Sequence, residues 1–137
     1  FGGGLEIALA CDLRFCTRRS LFAFPEINYN LIPGLGGLNR LERICGRRNS
    51  MEILFSGDTL NANKALELKI VDQIFDQQDL IDFCQNYLQG LIKGRSHEVI
   101  RMLMRSFRNS EYLSTEEAME KDVEMFCNLA GNFSEAN

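Results

Sequence analysis

A chain of 137 residues that is 45% hydrophobic and 25% charged has the composition of a globular fold and the length of one cored domain or part of a larger one. Its net charge of -4 argues against a general nucleic-acid binder, and its apolar runs fall short of a membrane span. The five cysteines, Cys11, Cys16, Cys45, Cys84 and Cys127, are odd in number, widely spaced and lack a C-x-x-C pair. That pattern points to reduced core thiols rather than a disulfide framework or metal centre. His97, the only histidine, excludes a His-rich metal cage, so no metal is expected. The first residue is Phe1, as in a fragment or a processed chain, and a targeting segment before it stays open.

In chain order, Gly2, Gly3 and Gly4 lead directly into residues 5–11, a short helix with Leu5, Ala8 and Leu9 as its apolar stripe. An amide at such a helix entry could hold a developing oxyanion. The glycines taken alone suit a tightly packed turn better. Residues 13–17 and 21–24 read as short strands joined by the polar turn Arg18, Arg19 and Ser20. Pro25 holds Phe24 extended, so the strand ends there and Glu26 emerges at a strand end.

Residues 28–37 form a loop rich in turn formers that feeds a helix beginning near Leu38. The loop does not suit a nucleotide. A Rossmann glycine run needs a strand directly before it and an acidic residue about 20 positions later, and a P-loop ends in Lys-Ser/Thr. Arg40, Arg43, Arg47 and Arg48 share a helix face over residues 38–48, with Leu41 and Ile44 opposite. A solvated face is the plain reading, and contact with an anionic ligand the second.

Helices are expected at 51–55 and 62–68 around Ser56, Gly57 and Asp58, followed by a short strand at 70–75. Three longer amphipathic helices then span 78–93, 96–109 and 114–131, the last opened by a capping box of Ser114 and Glu117. Their Met and Phe residues at helical spacing suit a core or subunit contact. His97 falls at a helix start, and no catalytic motif appears in this half.

The strings GGGLEIALACDLR, FAFPEINYNLIPGLGGLNRL and LFSGDTLNANKALELKIVDQIF, in that order and spacing, resemble the second half of the crotonase fold of the enoyl-CoA hydratase/isomerase superfamily. The resemblance implies an α/β fold: a ββα superhelix core over residues 1–75, then a helical oligomerisation region over 76–137. It also implies that earlier ββα units are missing, with a second oxyanion amide and much of the coenzyme A site. The ending at 132–137 resembles the point before the family's last helix.

By the same resemblance, Gly3 matches the glycine whose N–H polarises the thioester carbonyl, and Glu6 and Glu26 match the two hydratase glutamates that hold one water. The second glutamate also delivers a proton to the α-carbon. Gly2 and Gly34 fall at substrate-lining positions. The implied substrate is an acyl-CoA thioester, with coenzyme A as part of the substrate and no separate cofactor. The implied assembly is a homotrimer or hexamer, cytoplasmic in a bacterium, mitochondrial or peroxisomal in a eukaryote.

Hydration of an enoyl thioester builds negative charge on the carbonyl oxygen, which amides stabilise, while one carboxyl group activates water and another protonates carbon. Isomerases of the superfamily usually keep one of the two glutamates, so the presence of both favours a hydratase. An isomerase, an acyl-carrier-linked dehydratase and a non-catalytic assembly domain are the alternatives. Two positions depart from the family pattern: Asn30 and Lys69 stand where glycine is common. Asparagine tolerates left-handed backbone angles; the lysine has no explanation in the sequence.

Overall fold

The structure is a computed structural model that describes residues 1–76 and 79–135. Helix α1 (Gly3–Leu9) is followed by strands β1 (Phe15–Thr17) and β2 (Leu21–Phe22), a 3-10 helix at Pro25–Tyr29, and the long helix α2 (Gly37–Ser56). Strand β3 (Leu60–Asn61), helix α3 (Ala62–Glu67), strand β4 (Gln73–Phe75) and helices α4 (Leu80–Ile92), α5 (His97–Tyr112) and α6 (Thr115–Glu135) complete the chain. The result is a mixed α/β fold, 65% helical.

Two compact units are present, Phe1–Gln85 and Asn86–Asn137. The division falls inside α4; the expected boundary at 75/76 lies earlier, at the end of β4. In the first unit the core gathers Leu5, Leu9, Cys16, Phe24, Leu41, Ile53, Ala62, Ala65, Ile70 and Val71. Leu5 and Leu9 sit one helical turn apart on the buried face of α1, with Ala8 packed beside them. In the second unit α5 and α6 pack on one another. The Ser96 hydroxyl caps α5 by accepting from the Val99 N–H, and His97 is that helix's first residue.

The two early strands do not pair with each other. β1 runs parallel to β4, with Phe15 opposite Gln73 and Thr17 opposite Phe75. β2 runs antiparallel to β3, with Phe22 opposite Leu60. The polar turn between β1 and β2 is closed locally by Ser20, whose N–H reaches the Thr17 carbonyl and whose hydroxyl accepts from the Thr17 N–H. Partner choice is instead set by elements more than 35 residues away in sequence, which local pattern cannot reveal.

Three expectations are corrected. The second strand ends at Phe22 rather than Phe24, and Glu26 lies not at a strand end but in the 3-10 helix, behind Pro25 at its first position. The helices expected at 38–48 and 51–55 are two parts of α2, joined by a kink at Gly46 (φ 79°, ψ 160°). Because the kink falls between Arg43 and Arg47, the four arginines do not share a face. Arg47 and Arg48 are exposed and face Glu42 and Glu52, whereas Arg40 turns back to donate to the Leu35 carbonyl at 2.7 Å. The expected start of the next helix at residue 78, and the chain end at 136–137, lie outside the described residues.

Candidate active site

Glu6 projects from α1 and is 3% exposed. A buried carboxylate needs partners for both oxygens, and here all come from the backbone entering α2. Oε1 accepts from the Gly34 N–H at 3.2 Å, while Oε2 accepts from the N–H groups of Leu35 at 2.8 Å and Gly37 at 2.7 Å. Gly36 makes this convergence possible, since its φ of 85° turns the chain so that nearby amides point the same way. Arg40 braces the same turn from outside through its bond to Leu35. A carboxylate has about four acceptor positions, so three amides leave one open, on Oε1.

Glu26 is placed by a different set of close approaches. Pro25 begins the 3-10 helix and Asn30 ends it at φ 57°, the left-handed angle that asparagine tolerates. The Asn30 and Leu31 amides close the turn onto Ile27 and Glu26. Gly57, at the end of α2, abuts this helix so tightly that a Cβ there would fall 2.9 Å from both Ile27 and Asn28 side-chain atoms. The Glu26 Oε1 atom lies against Gly2, 3.1 Å from where a Cβ would stand. Its other oxygen, Oε2, is buried and has no hydrogen-bond partner among the described residues.

The glycine entry joins these two sets. Gly2 takes φ 52° and ψ -131°, closed to residues with a Cβ, and its N–H donates to the Ala23 carbonyl at 2.9 Å. The Gly4 N–H donates to Phe1, but that of Gly3, at the first helical position, has no acceptor among the described residues. A Cβ on Gly3 would meet Leu35 at 3.6 Å. Gly2 therefore borders Glu26, Gly3 borders Leu35, and Glu6 binds the turn that carries Gly34 and Leu35. The five expected site residues share one neighbourhood in the first unit.

The sequence did not reveal Leu35 and Gly37 as partners of Glu6, nor Gly36 as the left-handed turn between them. The signal is the G-x-G-G run at 34–37, whose glycines allow close backbone approach to a side chain as well as to a phosphate. Among the described residues no cluster of three or more His, Cys, Asp or Glu is arranged to hold a metal ion. The five cysteines are free thiols, and no helix is long and apolar enough to cross a membrane.

Comparison with known proteins shows the family. Residues 1–134 match the family described as Enoyl-CoA hydratase/isomerase. Ethylmalonyl-CoA decarboxylase of Bos taurus is 35% identical over 133 residues, which cover 95% of this chain and 43% of that protein. A probable mitochondrial enoyl-CoA hydratase 2 of Arabidopsis thaliana is 46% identical over 71 residues, 52% of this chain and 24% of that one. Among solved structures, an enoyl-CoA hydratase subunit of Geobacillus kaustophilus superposes with a TM-score of 0.84 at 28% identity, covering 95% of this chain and 50% of its own. The chain thus spans about half the length of the relatives it matches, and over that span it belongs to the enoyl-CoA hydratase/isomerase family.

Proposed function

We propose that this chain carries the two carboxylates of an enoyl-CoA hydratase, adding water to an α,β-unsaturated acyl-CoA thioester to form the 3-hydroxyacyl product. The observation that carries this reading is the buried, unpartnered Glu26 Oε2, in a site that also holds Glu6 and the free Gly3 N–H. In a native fold a buried polar oxygen without a partner marks a position for water or ligand.

On this reading Glu6 is the fixed group and offers its remaining acceptor position to the water. Glu26 is the group that moves protons. The water oxygen bonds to the β-carbon as the double bond breaks, the α-carbon takes a proton from Glu26, and the proton lost by the water restores the carboxyl group. The Gly3 N–H donates to the thioester oxygen as negative charge gathers there. Gly2 and Gly34 line the acyl group. One water is consumed and no redox partner is needed.

A second reading is favoured by one specific feature. Three of the acceptor positions on Glu6 are already taken by amides, leaving Glu26 as the freer carboxylate, and a single mobile carboxyl group suits an enoyl isomerase. Product mass separates the two, because hydration adds one water and isomerisation adds nothing. Incubated with a short enoyl-CoA, the complete polypeptide that includes the ββα units expected before this chain should give the hydrated product, and Glu26→Gln in it should lower kcat by about 100-fold or more. A mass-neutral product would establish the isomerase, and absence of turnover would leave only a non-catalytic role. Assembly through the helical unit belongs to the same proposal, supported by the exposed Leu103, Phe107, Met119, Val123 and Phe126 of α5 and α6.

A further inference from the structure

Glu6 reaches the turn at 34–37 only because position 37 has no side chain. A Cβ on Gly37 would stand 2.6 Å from Glu6 Cγ, 2.7 Å from Oε2 and 2.9 Å from Cδ, all closer than nonbonded atoms tolerate. The glutamate cannot swing aside cheaply, since it is buried and bonded to three amides, that of Gly37 among them. The neighbouring glycines differ in kind. A Cβ on Gly34 would meet nothing within 4 Å, and one on Gly36 would meet the guanidinium end of the Arg40 side chain rather than Glu6.

We propose that Gly37 is a positioning residue, and that its contact with Glu6 sets the single open acceptor position on Oε1, beside the Gly34 N–H, as the point where the reacting water is held. The water assignment rests on the hydration reading above; the contact itself does not. With Oε2 doubly occupied by Leu35 and Gly37, the carboxylate cannot rotate to offer its other oxygen. A side chain at 37 pushes Oε2 off its two amides and removes that constraint. The water then loses its fixed place while the rest of the substrate pocket is unchanged, so kcat should fall and KM should not.

Amide hydrogen exchange and steady-state kinetics test this together. In Gly37→Ala, and separately in Glu6→Gln, exchange at Gly34 and Leu35 should quicken by about tenfold or more. Glu6→Gln also serves where the alanine variant does not fold. Kinetically, in the complete polypeptide, Gly37→Ala should lower kcat by about 100-fold with KM held within about twofold. Adding Glu6→Asp, one methylene shorter, should restore at least about tenfold of that loss by withdrawing the carboxylate from the new Cβ. Gly90→Ala in α4, where a Cβ meets nothing within 4 Å, should leave kcat unchanged. Unaltered exchange in both variants, or no rescue by the shorter acid, overturns the proposal. Loss of activity in Glu26→Gln with full activity in Gly37→Ala overturns it while the hydration reading stands. Quickened exchange with Glu26→Gln still active retains the contact and overturns the water assignment.

Discussion

Lys69 holds φ at 60°, an angle that costs a side-chain-bearing residue about 1–2 kcal/mol. The surrounding hydrogen bonds explain why it is there. Its N–H donates to the Leu66 carbonyl at 3.0 Å, and that of Ile70 to Ala65 at 2.8 Å, the paired closure of a helix that ends on a left-handed residue. Ala65 and Ile70 are fully buried at this junction, so the turn cannot relax without opening the core. Lys69→Gly should therefore stabilise the protein by about 1 kcal/mol, the strain relieved less the added freedom of glycine in the unfolded chain. Thermal unfolding would measure it, and a Tm that falls would show that the lysine stem contributes more than its backbone costs. The family resemblance singled out Glu6 and Glu26 in the sequence. The three amides that hold Glu6 were not legible there, because they belong to a turn 28 to 31 positions away.

At the scale of elements, one joint and one kink shape the first unit. Arg14, just before β1, donates from Nε to the Ile70 carbonyl and from Nη1 to the Cys11 carbonyl, both at 2.7 Å, and its Nη2 lies 3.7 Å from Asp72. Its backbone exchanges further bonds with Asp72. One side chain thus ties the end of α1 to the entry of β4. Arg14→Ala should cost about 2–3 kcal/mol, since it strips carbonyls of charged donors at a largely buried position. Urea unfolding would register this as a lower midpoint with an unchanged slope; a loss below about 0.5 kcal/mol would place Arg14 among ordinary surface residues. At the Gly46 kink, the freed carbonyls of Cys45 and Gly46 are taken by the side chains of Asn49 and Ser50, which accounts for a buried serine. The capping box at Ser114 was legible, and both of its reciprocal bonds form. Capping is a local signal; the kink was hidden because a glycine inside a helical pattern looks like mere tolerance.

At the largest scale, Leu41 links core packing to the placement of Glu6. It is fully buried in α2 within the cluster that includes Leu5 and Leu9 of α1, the helix that carries Glu6. Leu41→Ala should cost about 3 kcal/mol through lost burial and the cavity left behind. Denaturant titration would measure that loss, and the same variant should show quickened exchange at the Gly34 amide, since the two helices then hold their termini together less firmly. A variant of unchanged stability would mean that the cluster collapses to fill the space. By itself the sequence determined the family, the number and type of most elements and the capping box at Ser114, because each depends on residues close together in the chain or on a string specific enough to recognise. Only the tertiary structure decided that β1 pairs with β4 and β2 with β3, that α2 bends at Gly46, and that Lys69 closes a helix. It also decided that the glycine entry at 2–4 borders Glu26 on one side and the turn at 34–37 on the other. Those are contacts between distant segments, set by which surfaces fit once the core of the first unit has formed, and spacing along the chain does not encode them.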